Sequence, residues 1–298
     1  MSAALDANSA TTLETATAAS GATTRAGRRR RWSNPLLVAG AVLLGLMVVF
    51  VVVFPLVSPY NPTDPDFAAG TFLPPSWTHP LGTDNFGRDT FTRLAYGGRI
   101  DLSVATLATA ITVVTGTALG LLAGYHGGWF DSLIMRLVDF MLSMPYLVLV
   151  IAIVAILGPG TLNILYAIAL VGWVSYARIV RGETLVARRQ EYVEAARVEG
   201  MGAWRIMWRH ILPNVITTAI VFSMADLVLN ILLASSLSFL GLGTQPPTPE
   251  WGLMVAEARD FFLRDWKLMT WPGLAVLVTG AALGLIGDGL AQALRPKG

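Results

Sequence analysis

The stretch LLVAGAVLLGLMVVFVVVFPLV, residues Leu36–Val57, sets the class of fold to which this chain belongs. It runs for 22 residues without a charged side chain. An α-helix rises about 1.5 Å per residue, so the segment would measure roughly 33 Å and could cross a hydrocarbon layer about 30 Å thick. A cleavable signal peptide would have a shorter apolar region followed by a small-residue cleavage site, whereas VSPYNP ends this one. The segment predicts a retained transmembrane helix.

Five more apolar blocks follow along the chain. They are Leu102–Gly124, Leu133–Leu157, Leu162–Ile179, Val215–Leu242 and Met269–Leu290. Hydrophobic residues make up 54% of the sequence and charged residues 13%, about half the charged share of a soluble domain. Pro145 and the many glycines within the blocks are tolerated in a membrane bundle. The pattern predicts an all-α membrane protein with six transmembrane helices.

The blocks divide the chain into three regions. Residues 1–31 are rich in Ala, Thr and Ser and end in four arginines, which predicts a disordered cytoplasmic tail. Residues 32–101 hold the first span and an external loop. Residues 102–294 hold a core of five spans, including a long loop at 181–213.

Lysine and arginine counts orient the bundle. The N-terminal tail, the segment Arg178–Arg209 and the C-terminal tail together carry fourteen of these residues, against six on the opposite side. The excess predicts that both termini and the 181–213 loop are cytoplasmic. On the outer side, Ser58–Arg99 and Gly243–Leu268 contain aromatic and amphipathic stretches. They could be interfacial padding, or a lid or docking surface for an external partner.

The cytoplasmic loop RGETLVARRQEYVEAARVEGMGAWRIMWRHILP, Arg181–Pro213, has helical chemistry of its own. Helical spacing predicts a short helix from about Glu191, which Gly200 and Gly202 can end. An amphipathic helix is expected over Ala203–Ile211, and Pro213 suits the first turn of the next span.

Small side chains in this loop would let another protein approach the backbone. Ala195 and Ala196 fall on one predicted helix face with Glu191 and Tyr192, and Glu194 offers a carboxylate for a basic partner residue. The alternative is a solvated loop that is rich in arginine only because of its inner position.

Polar residues within the apolar blocks are few. Arg136 and Asp139 are three residues apart, which predicts a structural salt bridge along one helix. Asp226 and Asn230 lie one turn apart near the middle of the fifth block. A charged residue at that depth should face the bundle or a watery cavity, so these two either line a path or pair with a neighbouring helix or subunit.

Several function classes find no support in the residues. The net charge of +2 gives no case for nucleic-acid binding, the chain has no cysteine, and His79, His126 and His210 are far apart. The two lysines, Lys267 and Lys297, lie outside any glycine-rich phosphate-binding loop, so the chain is not expected to hydrolyse ATP.

Two other classes of membrane protein also find little support. A secondary transporter would show inverted repeats with ionisable residues in both halves, but Asp226 has no counterpart in the first half. A membrane-embedded enzyme would need a constellation such as H-E-x-x-H or G-x-S-x-G, and neither occurs.

The loop residues EAARVEG at Glu194–Gly200 and HILP at His210–Pro213 resemble the EAA signature of permease subunits in bacterial ABC importers. Five further blocks are similar to the C-type permease of the dipeptide/oligopeptide/nickel group, and the resemblance covers about residues 35–290. The blocks are HPLGTDNFGRDTFTRLAYGGRIDL (His79–Leu102), MRLVDFMLSMP (Met135–Pro145), WVSYARIVRGETL (Trp173–Leu185), LSFLGLG (Leu237–Gly243) and PEWGLM (Pro249–Met254). Ala234 departs from the group, which usually has a glutamate there; Asn230 could partly replace it.

The resemblance implies a type I importer permease in the bacterial inner membrane, surrounded by lipid. Its implied partners are a B-type permease, two ATP-binding subunits that hold ATP and Mg, and an extracellular solute-binding protein. No cofactor would be bound by this chain. The implied substrate is a di- or oligopeptide; nickel chelates, glutathione or another small solute are alternatives. The implied coupling residues are Glu194, Ala195, Ala196, Gly200 and Pro213.

Overall fold

The computed structural model describes residues 34–294, and the regular secondary structure in that range is helical. The helices are α1 Pro35–Val57, α2 Thr90–His126, α3 Gly128–Leu142, α4 Tyr146–Leu157, α5 Thr161–Ala187, α6 Glu191–Val198, α7 Ala203–Ile206, α8 Leu212–Phe239, α9 Trp251–Ala258 and α10 Lys267–Leu294. A π-helical turn, Met207–Ile211, joins α7 to α8, and a 3-10 turn, Arg259–Phe261, follows α9. The tail predicted over residues 1–31 lies outside the described residues.

Five helical segments are long and apolar enough to cross a membrane singly. These are α1, α2, α5, the continuous segment Ala203–Phe239, and α10. A sixth crossing is available only if α3 and α4 count as one span. The predicted all-α membrane fold is therefore confirmed, with five crossings, or six if α3 and α4 together form one.

The third predicted span, Leu133–Leu157, is not one straight helix. It breaks at Ser143–Pro145, where α3 and α4 meet at 89°. Proline has no backbone N–H, its ring clashes with the preceding turn, and it disfavours the helical conformation of the residue before it. The prediction of an uninterrupted span is wrong here, because the helix stops before Pro145 and a new helix begins after it.

Glycines on one face bring α2 and α5 into backbone contact. Gly116, Gly120 and Gly124 recur every four residues on α2. A methyl group added at Gly116 would lie 2.4 Å from the carbonyl oxygen of Trp173, and one at Gly120 would lie 2.5 Å from that of Ala177. Small residues at this spacing let membrane helices pack closely. This contact holds together the centre of the bundle.

The first helix, α1, packs against the last helix, α10, and the start of α1 meets the end of α10. A Cβ at Gly40 of α1 would lie 2.7 Å from the carbonyl oxygen of Ala282 in α10. The Nδ2 of Asn34 donates a hydrogen bond of 2.8 Å to Oε1 of Gln292. The start of α1 and the end of α10 therefore lie at the same end of the bundle.

Pro55 leaves a carbonyl oxygen in α1 without its usual donor, since a proline four residues on has no N–H. Arg99 of α2 supplies the missing donors. Its Nε donates to the oxygen of Val51 and its Nη2 to that of Val52, both at 2.7 Å. A neighbouring helix thus makes a proline tolerable inside the span.

The two segments that were predicted to be external, Ser58–Arg99 and Gly243–Leu268, fold into one cap over the bundle. Trp251, at the start of α9, is fully buried, and its Nε1 donates to the carbonyl oxygen of Leu94 at 2.9 Å. Its backbone N–H donates to Oδ2 of Asp101 at 3.0 Å. The side chain of Glu250 caps the same helix by accepting from the backbone N–H groups of Gly252 and Leu253.

Buried ion pairs bind the two halves of this cap. Arg93 reaches Oε2 of Glu257 at 2.7 Å and donates to the carbonyl oxygen of Pro62 at 2.9 Å. Arg88 pairs with Asp84 at 2.7 Å. The two segments of the cap are therefore ordered by long-range contacts, in addition to any role at the lipid surface.

Candidate functional site

The loop between α5 and α8 contains the predicted short helix, α6. It ends in a glycine cap: Gly200 has φ of +78°, its N–H donates to the carbonyl of Arg197, and the N–H of Met201 donates to that of Ala196. This pair of bonds is the Schellman arrangement, which needs the left-handed conformation that glycine adopts readily. The predicted end of the helix at Gly200 is confirmed. Gly202 instead lies at the N-cap of α7.

The second helix of the loop is continuous with the next span. Pro213 lies in the first turn of α8, as predicted, but α7 and the π-helical turn join it without a gap. The N–H of Leu212 bonds to the carbonyl of Met207, five residues back. Since Pro213 cannot donate to the carbonyl of Arg209, a wider turn before it lets the helix continue.

The two alanines of the loop face opposite ways. Ala196 is buried together with Val193, in an apolar cluster with Ile206 and other residues of the same chain. Ala195 and Glu194 are exposed. The prediction that both alanines offer themselves to a partner is therefore wrong for Ala196. The helix needs an inward face to attach to the bundle, and Ala196 lies on it.

Large apolar side chains add to the exposed face of this loop. Val198 is 90% exposed and Trp204 is 64% exposed. We use the term loop surface for Glu194, Ala195, Val198 and Trp204. Exposed apolar groups beside a carboxylate are typical of a protein contact surface. Val198 and Trp204 were not predicted from the sequence as contact residues; their position beside the glycine cap was the available signal.

Ion pairs connect α5, which leads into the loop, to α3. Arg181 donates to both carboxylate oxygens of Asp131, from Nε to Oδ1 and from Nη2 to Oδ2 at 2.6 Å. Arg178 pairs with Asp139. The predicted salt bridge between Arg136 and Asp139 does not form among the described residues. Asp139 lies next to α5, so Arg178 of that helix pairs with it in place of Arg136. Arg136 is exposed.

A polar cluster joins α2, α5 and α8 near their midpoints. The hydroxyl of Tyr176 donates to Oδ2 of Asp226 at 2.9 Å. The Nδ2 of Asn230 donates to the same oxygen at 3.2 Å and to Oγ1 of Thr109 at 2.8 Å. Of the two alternatives for Asp226 and Asn230, pairing with neighbouring helices is present. Ala234, one turn after Asn230, packs in an apolar cluster.

These features define a class of protein: an integral membrane protein with apolar spans packed through glycines and a two-helix loop that exposes a contact surface at one end. The profile described as "Binding-protein-dependent transport system inner membrane component" matches residues 116–297, and that of the "N-terminal TM domain of oligopeptide transport permease C" matches residues 24–75.

Named relatives agree with these profiles. The chain is 43% identical to a di/tripeptide transport system permease protein of Pseudomonas aeruginosa, over 87% of each chain. It is 45% identical to a glutathione transport system permease protein of Pectobacterium atrosepticum, over 75% of this chain and 74% of the relative. A probable D,D-dipeptide permease of Escherichia coli is 40% identical, over 89% and 88%.

The chain belongs to the family of binding-protein-dependent inner membrane transport components. It is a membrane permease subunit of an ABC importer and is not itself a catalyst. In importers of this kind, other subunits handle ATP.

Proposed function

We propose that this chain forms half of the translocation path of an importer of di- and oligopeptides, the other half being a homologous B-type permease. The observation that carries the proposal is the 43% identity to a permease named for di- and tripeptides, which extends over 87% of both chains. Glutathione is the second candidate substrate, because the relative named for it is 45% identical. Glutathione is itself a small peptide, so one path could suit both solutes.

The other subunits of the proposed importer are two ATP-binding subunits, which hold ATP and Mg, and an extracellular binding protein that delivers the peptide. Both termini of this chain lie in the cytoplasm in this proposal. Two observations support the orientation. The ends of α1 and α10 meet through Asn34 and Gln292, and the basic residues are concentrated on the side that includes the loop.

The loop surface is the proposed contact with the ATP-binding subunit. Glu194 and Ala195 are exposed there, and Gly200 sets the turn that presents Val198. Ala196 acts from within, because it attaches α6 to the bundle, and Pro213 determines how α8 leaves the loop. Asp226 and Asn230 are proposed to border the path at mid-depth.

Uptake by the reconstituted importer tests this proposal. In proteoliposomes holding both permeases and ATPases, with the binding protein added outside, ATP should drive uptake of a labelled dipeptide. Glu194→Arg should lower that uptake more than tenfold and abolish stimulation of the ATPase by the loaded binding protein. Asp288→Arg, the same charge reversal at an exposed acid outside the loop surface, should leave uptake and ATPase stimulation within twofold.

Each part of the proposal can fail separately. Uptake without ATP would contradict coupling to an ATPase. ATP-dependent uptake of another solute, with neither dipeptide nor glutathione competing, would contradict the substrate. Normal uptake by the Glu194→Arg importer would contradict the role of the loop surface.

A further inference from the structure

Asp226 is a carboxylate at the middle of a membrane-spanning helix. It lies near the midpoint of the 28-residue helix α8 and is half-buried. Its Oδ2 accepts hydrogen bonds from Tyr176 and Asn230. Its Oδ1 has no hydrogen-bond donor among residues 34–294, and no lysine, arginine or histidine in that range forms an ion pair with it. One oxygen is therefore held in place and the other is free.

Packing alone does not explain an acid at this position. An ionisable group in the middle of a span is among the costliest placements in a membrane protein. Tyr176 and Asn230 need only an acceptor, which an uncharged amide at position 226 would supply. A cation arriving at Oδ1 would instead find a negative partner that an amide could not supply.

The polar cluster contains one further acceptor without a partner. Asn230 is 1% exposed, and its Oδ1 has no donor within the described residues, because its amide group points to Thr109 and Asp226. An alkylammonium group carries a positive charge and three donors. A carboxylate that two hydrogen bonds hold in place, with its other oxygen free, can accept from such a group.

We propose that Asp226, oriented by Tyr176 and Asn230, is a binding subsite for the alkylammonium group of the solute as it crosses the membrane. For a peptide this group is the α-ammonium, and a lysine side chain would present the same chemistry. The inference rests on the proposed function, since it assigns a peptide group to the path. Tyr176 and Asn230 are positioning residues: they hold the carboxylate and leave one oxygen free for the solute.

The charge of Asp226 is tested in the complete reconstituted importer with its binding protein. Asp226→Asn should lower dipeptide uptake at least tenfold, while ATPase stimulation by the loaded binding protein stays within twofold of the unmodified importer. Asp226→Glu should keep at least a third of the uptake. Asp288→Asn, which removes an exposed acid near the inner end of α10, is the matched control and should stay within twofold.

A cysteine variant tests whether a watery path reaches this position. The chain contains no cysteine, so Asp226→Cys introduces a single thiol. An anionic methanethiosulfonate reagent should react there and restore uptake at least fivefold, whereas a cationic reagent should not. Failure of the thiol to react in the assembled importer would overturn the proposal.

Other outcomes decide between this subsite and its alternatives. Full dipeptide uptake by the Asp226→Asn importer would overturn the proposal. A loss of assembled complex on Asp226→Asn would also overturn it, and would indicate that Asp226 pairs with a cation of the partner permease. If the unmodified importer moves no peptide, the proposed function fails. If it moves peptide regardless of the charge at position 226, only this inference fails.

Discussion

At the scale of the residue, Arg99 shows how a charged group is used within an apolar environment. Its guanidinium group donates to the two carbonyl oxygens of α1 near Pro55, and it lies 5.4 Å from the ring centre of Tyr96. The charge is near the end of α2 that joins the cap, where it can also reach the membrane interface. One side chain thus satisfies backbone groups that lipid could not.

Loss of this contact should destabilise the protein measurably. Arg99→Met should lower stability by about 1–3 kcal/mol, the usual effect of leaving a buried acceptor unsatisfied. In a Pro55→Ala background the effect should be smaller, because the substituted alanine provides the N–H donor that the carbonyl of Val51 lacks. Thermal unfolding of the purified complex, measured for both single variants and the double variant, checks this. Equal losses in the two backgrounds would contradict it.

At the scale of the element, α5 links the main parts of the proposed mechanism. It packs on the glycine face of α2, carries Tyr176 to the polar cluster and pairs with α3 through Arg178 and Arg181. It then leads directly into α6. A displacement of the loop surface would therefore reach the polar cluster and the broken span through one helix.

The close contact between α2 and α5 leaves no room for a larger side chain. Gly120→Val should destabilise the protein by roughly 1–3 kcal/mol, the usual cost of overpacking, because the nearest atom is a backbone oxygen that cannot rotate away. Gly284→Val is the matched control. It places the same residue inside a helix, at a position where an added Cβ would have no atom within 4 Å beyond its own stretch of helix. Thermal unfolding of both variants checks the difference. Equal shifts would show that helix propensity, and not contact, is responsible.

At the scale of the whole molecule, the bundle has two different ends. One end has the ordered cap built from the segments before α2 and before α10, with its buried ion pairs. The other end has the loop surface and the paired ends of α1 and α10. This asymmetry suits an importer that meets a solute carrier outside and an energy source inside.

Thiol labelling should report this asymmetry. Trp77 in the cap is fully exposed and Val198 in the loop is 90% exposed, so Trp77→Cys and Val198→Cys each place one accessible thiol in a chain without cysteine. A membrane-impermeant maleimide should label position 77 in intact cells, and position 198 only after the cells are opened and the ATP-binding subunits that are proposed to cover it are removed. Labelling of Val198→Cys in intact cells would reverse the proposed orientation.

The order of the amino acids alone specifies the membrane class, most of the spans, the α6 boundary at Gly200 and the place of Pro213. These features depend on apolar content and on backbone conformations that are set within a few residues.

The folded bundle alone decides three other features. These are the pairing of Asp139 with Arg178, the pairing of Asp226 with Tyr176 and the inward orientation of Ala196. The paired residues lie 39 and 50 positions apart along the chain, and the packing of neighbouring helices selects them. The folded bundle also sets the 89° angle at the break before Pro145, because a proline marks where a helix stops but not where the chain turns next.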